Sequence, residues 1–223
     1  VRADIFAGLH KESTGSRKFE LDEAYVTFSD TLGVLVPNAG LPNGLGTIVG
    51  KKLIGIGKQN PTHAEQSAFS DRPLALKQFF GQGHGLSGEG IQLSYLLPLP
   101  FFSQIEWGYW TASAHEETGE AHGVEYENRI TNTRLWNSFE VSKSQELELG
   151  LNYLQGNPSA SAKDDKQTVM GIDITFNQEI AGQLLKLQAE TFQAEYGEEG
   201  EAAAKQNGSY VSATYDLTNE YQT

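Results

Sequence analysis

The sequence predicts an all-β protein: an antiparallel transmembrane β-barrel, or part of one, with about ten strands in this chain. Three observations predict it. Apolar and polar residues alternate in many short segments, with the period of two that a strand between an apolar and a polar medium shows. Long polar connections alternate with short ones, like the external loops and periplasmic turns of outer-membrane barrels. No run of about 18 apolar residues is present, which excludes a transmembrane helix.

The composition restricts the function. The chain has 223 residues, and we treat 1–223 as one β-domain or part of one. Its formal net charge of −13 argues against a nucleic-acid partner, since phosphate binding needs clustered Lys and Arg. Cysteine is absent, which excludes disulfides, zinc–thiolate clusters and a catalytic thiol. No Ser lies in a G-x-S-x-G elbow, so we expect no catalytic residues and no enzyme.

Ten segments are predicted to be strands, because each alternates between apolar and polar residues or is bounded by turn residues on both sides. They lie at residues 1–9, 21–28, 47–57, 91–97, 105–109, 129–141, 146–154, 168–176, 184–196 and 209–217. In 21–28 the residues Ala24, Val26 and Phe28 share one side of the strand. Glycines weaken the pattern in 47–57, and the Gly- and Pro-rich residues before it predict a turn.

The segment at 146–154 alternates most clearly. Its apolar side predicts a lipid-facing surface and consists of Leu147, Leu149, Leu151 and Tyr153. Its other side, with Glu148, Gly150 and Asn152, then faces the lumen, where we expect even Asn152→Arg to be tolerated. Glu23 and Glu106 have the same position in their own strands and are also predicted to face a wet lumen.

The connections between the predicted strands fall into a long class and a short class. The long polar ones are 10–18, 58–89, 114–128, 156–167 and 197–208. The short ones are 98–102, 142–145 and 177–182, and 29–46 is the exception to the pattern. The alternative is a soluble barrel or jelly roll, in which the apolar side is the core and the polar side faces water.

The longest connection, residues 57–90, is predicted to fold over or into the mouth of the barrel. Loops of this length inside a compact domain usually carry a function. Asp71, Arg72 and Lys77 are candidates for a pore constriction, where fixed charges select solutes by sign. The alternative is an internal ion pair that only fastens the loop. Phe79 and Phe80 would anchor the loop to the wall.

Four histidines are candidates for a metal site. His63 and His84 lie in the long loop, and His115 and His122 lie in the next one beside several glutamates. Imidazole and carboxylate groups bind zinc, although this spacing matches no zinc signature and solvated loop histidines are the alternative. Zinc is therefore the one cofactor that the sequence leaves open.

The block Asn60-Pro-Thr-His63, Asp71-Arg72-Pro73 and Gly88-Glu89-Gly90, together with LDEAYVTF at 21–28 and LELGLNYLQG at 147–156, resembles a family of bacterial outer-membrane porin-like proteins. Members are described as zinc-regulated outer-membrane receptors and are similar in style to phosphate-selective porins. The resemblance implies a barrel in the outer membrane of a Gram-negative bacterium. It also implies more strands than ten, which leaves two alternatives: either further chain exists beyond Thr223, or the sheet is not in a membrane.

Two functions follow as expectations. The first is a porin-like channel for passive or weakly selective passage of small solutes or ions, with outer-membrane lipid around it and homo-oligomers left open. The second is a non-transporting outer-membrane or surface β-sheet scaffold whose acidic loops bind partners or metal ions.

Overall fold

The computed structural model describes residues 1–11, 17–36, 44–63, 67–69, 71–80, 85–112, 126, 129–156, 166–197, 204–218 and 221–222. Eleven strands lie in these ranges: β1 Arg2–Lys11, β2 Arg17–Phe28, β3 Leu45–Leu53, β4 Ser87–Leu96, β5 Phe102–Ala112, β6 Arg129–Ser142, β7 Gln145–Gly156, β8 Lys166–Ile180, β9 Gln183–Gly197, β10 Ala204–Thr218 and β11 Tyr221–Gln222. Two short helices accompany them, α1 Thr31–Leu35 and α2 Leu74–Phe80.

The ten long strands and the two-residue β11 form one antiparallel sheet. Every strand pairs with the next one along the chain, in the order β1 to β11. The all-β, antiparallel prediction of about ten strands is confirmed. Among the described residues the sheet is open, because β1 does not pair with the strands at the other end. Neither helix in the described part of the chain is long and apolar enough to cross a membrane.

The two faces of the sheet differ in polarity, and it is the exposed face that is apolar. We call this side the apolar face; its exposed large side chains include Ile5, Leu9, Val49, Ile105, Trp107, Leu151, Tyr153, Met170, Ile172, Ile174, Leu187, Val211 and Leu217. We call the other side the polar face; its buried polar side chains include Glu23, Gln92, Asn132, Arg134, Asn152, Asp173, Thr175, Gln188 and Glu190.

Strand register lines these residues up in rows. On the apolar face, Ile105, Leu135, Leu151 and Ile172 are direct cross-strand neighbours from β5 to β8. On the polar face, Trp136, Gly150, Asp173, Glu190 and Tyr210 form a row from β6 to β10. Because side chains alternate along each strand, a shift of one residue would exchange the two faces. The faces predicted for 147–153 are therefore confirmed as opposite sides of β7.

The described residues of the connection between β3 and β4 lie on the polar face. We call residues 54–86 the inserted segment; it contains α2, which the sequence analysis did not predict. A core of buried apolar side chains joins this segment to the sheet: Ile54, Ile56, Leu76, Phe79, Phe80, Leu86, Trp110, Tyr126, Ile130, Leu154, Val169, Phe192 and Ala194. The helix α1 likewise lies within the predicted turn at 29–46.

The short connections at one end of the sheet are tighter than the sequence predicted. The strand β8 continues to Ile180, so the turn to β9 is only Ala181 and Gly182. Both have positive φ, 53° and 81°. Two successive left-handed residues are typical of the two-residue hairpin whose twist matches that of its strands.

Candidate functional site

A buried network on the polar face holds the peptide groups of Gly57. The Gly57 N–H donates to Asn152 Oδ1 at 2.9 Å, and its carbonyl accepts from Arg134 Nη1 at 2.7 Å. Arg134 Nη2 also donates to both oxygens of Asp173, at 3.0 and 3.2 Å, and Asn152 Nδ2 donates to Asp173 Oδ2 at 2.7 Å. A buried Arg–carboxylate pair is stable only with such additional hydrogen bonds. The network therefore fixes the path of the inserted segment across β6, β7 and β8.

Glu190 on β9 holds the next turn of the inserted segment. Its Oε1 accepts from the backbone N–H groups of Lys58 and Gln59, each at 3.0 Å, and from the hydroxyl of Tyr210. Gly57 has φ of +63°, and a Cβ there would lie 2.1 Å from Glu190 Oε2. This position needs glycine both for its backbone conformation and for its closeness to the sheet.

Asn60 closes the base of the inserted segment. Its side chain is fully buried and donates to the carbonyls of Ile54 and Leu86, at 2.8 and 3.0 Å. It also accepts from the N–H of Leu86 at 2.9 Å. One amide therefore joins the first and last residues of the segment, a role that a carboxylate could not fill because it has no N–H to donate.

Arg72, a predicted constriction residue, binds backbone inside the inserted segment. Its guanidinium donates to the carbonyls of Gln59, Asn60 and Thr62, at 3.2, 3.3 and 2.9 Å. Burial lowers the pKa of this guanidinium below its usual range. These contacts favour the fastening role that the sequence analysis left as the alternative.

Asp71 and Lys77, the other predicted constriction residues, form an exposed ion pair with N–O distances of 2.6 and 2.7 Å. The hydrogen bond from Lys77 holds the pKa of the Asp71 carboxyl below its usual value. The pair joins Asp71, which precedes α2, to Lys77 within the helix. Arg72 contacts Asp71 through its backbone N–H, which donates to Asp71 Oδ1 at 3.0 Å.

The predicted anchor role of Phe79 and Phe80 is confirmed. Both rings are buried, and their centroids lie 6.1 and 5.2 Å from that of Phe192 on β9. The Phe80–Phe192 pair is edge-to-face, one of the arrangements that aromatic pairs prefer. The helix α2 therefore packs its apolar side onto the part of the polar face nearest the long loops.

The three glutamates predicted to face the lumen all lie on the polar face and contact or approach the inserted segment. Glu148 forms an ion pair with Lys58 and accepts from Trp136 Nε1 at 2.8 Å. Glu106 accepts from Gln104 at 2.7 Å and has an oxygen 3.1 Å from where a Cβ of Gly55 would lie.

Glu23 bonds to the histidine at the end of the described turn. Its Oε2 is 2.6 Å from His63 Nε2, and its Oε1 accepts from the N–H of Leu53 at 2.5 Å. The His63 ring also stacks on Phe6, with centroids 4.6 Å apart. The described residues contain no group of three or more His, Asp or Glu arranged to hold a metal. His84, His115 and His122 lie outside the described residues, so zinc binding stays a prediction.

Four residues of the site were not singled out from the sequence as site residues: Lys58, Arg134, Asp173 and Glu190. The last three carried a readable signal, because each is a charge on a strand at the position that alternation assigns to the polar side. Lys58 carried none, since nothing local distinguishes it from Lys51 or Lys52. The expected tolerance at Asn152 is wrong: Asn152 is buried, and both ends of its amide are bonded.

Comparison with known proteins adds little to this geometry. A stretch of 99 residues, 44% of the chain, is 31% identical to a protein of Aquifex aeolicus (strain VF5) described as uncharacterized. The matched stretch covers 18% of that relative's length. No family model matches the chain, and no solved structure matches it. The resemblance to porin-like proteins therefore stays a prediction.

Proposed function

We propose that this chain forms wall strands of an outer-membrane, porin-like channel that passes small solutes or ions. The observation that supports it is the inverted polarity of the sheet. Ile172 is 53% exposed on the apolar face, whereas its sequence neighbour Asp173 is fully buried on the other. A water-soluble sheet has the opposite arrangement, with its apolar side covered. Lipid is the medium in which an uncovered apolar face of this size is stable.

The extent of the apolar face agrees with a membrane. On β7 it runs from Leu147 to Tyr153, six residue steps or about 20 Å at the usual rise of a strand. The apolar band of outer-membrane barrels is about 25 Å tall. Trp107, Tyr153 and Met170 lie in one cross-strand row at the long-loop end of this band, with Thr133 between Trp107 and Tyr153. The next row has Thr131, Gln155 and Thr168, and aromatic rings commonly lie at such a boundary with water.

The inserted segment supports a narrowed passage. It is held on the polar face by buried hydrogen bonds and by the core around α2, so it lies where the lumen of a closed barrel would be. Charged groups remain at its edge, among them Lys58 with Glu148, and His63 with Glu23. Such groups would face a permeating solute at short range, where the low local dielectric strengthens their interaction with it.

Closure is required by the same proposal. Among the described residues, β1 has no partner on its outer edge and β11 covers only two positions of β10, so most edge N–H and C=O groups of these two strands would find no partner in lipid, at a cost of several kcal/mol for each group. In the membrane, strands that pair with these two edges would have to complete the barrel.

The test is conductance. We expect the protein, folded in detergent and added to planar lipid bilayers, to give stepwise openings. Deletion of residues 67–82, which removes α2 and the approach to it, should increase the unit conductance. Absence of any conductance from folded, membrane-inserted protein would refute the channel.

A sealed scaffold is the second candidate, because the inserted segment fills part of the polar face. Among the described residues, thirteen apolar side chains are buried there, six of them from the inserted segment, far more than a thin constriction loop needs. In this candidate the long acidic loops bind partners or metal ions. The deletion of 67–82 separates the two candidates. A channel conducts before the deletion, whereas a scaffold that the inserted segment seals conducts only after it.

A further inference from the structure

Lys58 places an ammonium group in a cage on the polar face. The Lys58 Nζ lies 4.4 Å from the centroid of the Trp136 ring and forms an ion pair with Glu148. The Trp136 N–H donates to the same carboxylate at 2.8 Å, which fixes the angle between ring and carboxylate. An aromatic face beside a carboxylate is the arrangement with which proteins bind alkylammonium ligands.

A cavity lies next to this cage. It has a volume of about 1070 Å³ and lies at the short-turn end of the sheet, with lining residues from both faces. Three of its lining residues adjoin the cage: Ser138 is two positions from Trp136, Glu146 is two positions from Glu148, and Phe102 packs edge-on against Trp136 at 4.7 Å. The cage therefore lies two residues beyond the lining of the cavity along β6 and β7.

The charges of the cavity favour a cation. Its lining contains Glu140, Glu146 and Glu179 against one cationic residue, Lys143. Thr175, directly opposite Glu148 on β8, is almost fully buried, and its hydroxyl has no hydrogen-bond partner among the described residues. A primary alkylammonium ligand beside Glu148 has N–H groups to donate to such an oxygen, whereas a quaternary ammonium has none and would bind through the ring and the carboxylate alone.

We propose that Trp136 and Glu148 form a binding subsite for ammonium-bearing organic solutes, with the Lys58 side chain as a tethered occupant that the solute displaces. This subsite rests on the proposed passage of solutes along the polar face and names their chemical class. Lys58 is suited to this exchange because its backbone is held independently of its ammonium group, by Glu190 at the N–H and by Thr62 at the carbonyl, while its flexible side chain is partly exposed. Its tether gives it a high effective concentration, so a free cation competes poorly until Lys58 is removed.

The experiment measures binding of tetramethylammonium chloride and butylammonium chloride to the full chain folded in detergent, by tryptophan fluorescence, with sodium chloride at equal ionic strength as the reference. We expect Lys58→Ala to give a saturable change in emission, with an apparent affinity at least about tenfold above the wild type. Adding Glu148→Gln should weaken that affinity about tenfold, although Gln still accepts from the Trp136 N–H. Adding Trp136→Phe should remove most of the emission change.

Two results overturn the subsite. One is a response of Lys58→Ala to the ammonium salts that equals its response to sodium chloride. The other is saturable binding that Glu148→Gln leaves unchanged. Lys58→Gln serves as a second variant if Lys58→Ala does not fold. Conductance without saturable binding refutes the subsite and leaves the channel, whereas saturable binding without conductance supports the subsite and refutes the channel.

Discussion

Gly57→Ala tests whether the sheet fixes the inserted segment. Gly57 has φ of +63°, a left-handed conformation that costs an L-residue about 1–2 kcal/mol. Its new Cβ would also lie 2.1 Å from Glu190 Oε2 and 2.9 Å from Phe192 Cζ. Glu190 would have to move, and its hydrogen bonds from the N–H groups of Lys58 and Gln59 would break.

The magnitude follows from these contacts. Hydrogen bonds contribute about 0.5–1.5 kcal/mol each to stability, so losing two of them adds about 1–3 kcal/mol to the backbone strain. The matched control is Gly182→Ala in the turn between β8 and β9. Gly182 also has positive φ, +81°, but a Cβ there meets nothing within 4 Å. We therefore expect a loss of about 1–2 kcal/mol for the control and of about 2–5 kcal/mol for Gly57→Ala.

The assay is urea unfolding of the full chain in detergent micelles, followed by tryptophan fluorescence, together with protease cleavage within the inserted segment. Faster cleavage in Gly57→Ala than in Gly182→Ala would locate the effect in the segment. If the two variants lose stability to within about 0.5 kcal/mol of each other, the contacts with Glu190 do not hold the segment, and the reasoning fails.

Three further predictions use other parts of the structure. Leu151→Arg on the apolar face should cost about 2–4 kcal/mol for the protein folded in lipid, if it lies near the bilayer midplane, and an unchanged unfolding midpoint in lipid vesicles would count against a lipid-facing position. Arg72→Lys should destabilise the protein by about 2–4 kcal/mol in urea, because an ammonium cannot reach all three carbonyls, whereas Lys77→Ala at the exposed pair should change little. The lowered pKa of Asp71 means that its pair with Lys77 stabilises the fold above the unfolded-state pKa and that this stabilisation is lost as the pH falls through the folded-state pKa. Asp71→Asn should thus reduce the unfolding midpoint slightly at neutral pH and not at a pH below the folded-state pKa; an equal effect at both would refute this.

The structure changes one expectation about selectivity. Arg72 and Lys77 were predicted together as pore charges. In the structure Arg72 donates to backbone carbonyls, and Lys77 forms an ion pair with Asp71. Of the cations on the inserted segment, Lys58 contacts a strand residue through its charge, at Glu148. Reversal potentials across a salt gradient should therefore respond more to Lys58→Gln than to Arg72→Lys.

Alternation along single strands was readable from the sequence because it is a local property. In β7 the neighbours Glu148, Leu149 and Gly150 point to alternate sides whatever the rest of the chain does. Phe79 and Phe80 were likewise readable as an anchor, since two adjacent aromatic rings in a polar loop need an apolar surface to pack on.

The helix α2 was not readable, because seven residues are too few for helical periodicity to be distinguished from a loop. The sequence also did not indicate which charged residues pair with one another. Lys58 and Glu148 are 90 positions apart, and Arg134 and Asp173 are 39 apart. Arg134 even lies directly opposite Glu106 on β5, yet its guanidinium bonds to Asp173 two strands away.

Which carboxylate Arg134 bonds to depends on the space that the neighbouring strand leaves. A Cβ at Gly150, between Arg134 and Asp173, would lie 2.1 Å from Asp173 Oδ2, so the absence of a side chain there lets the carboxylate lean toward the guanidinium. The sequence by itself determined which side of each strand is apolar, since that depends only on the period of two. The tertiary structure decided which loop lies on the polar face and which charges meet there, because those depend on register and on the room that neighbouring strands leave.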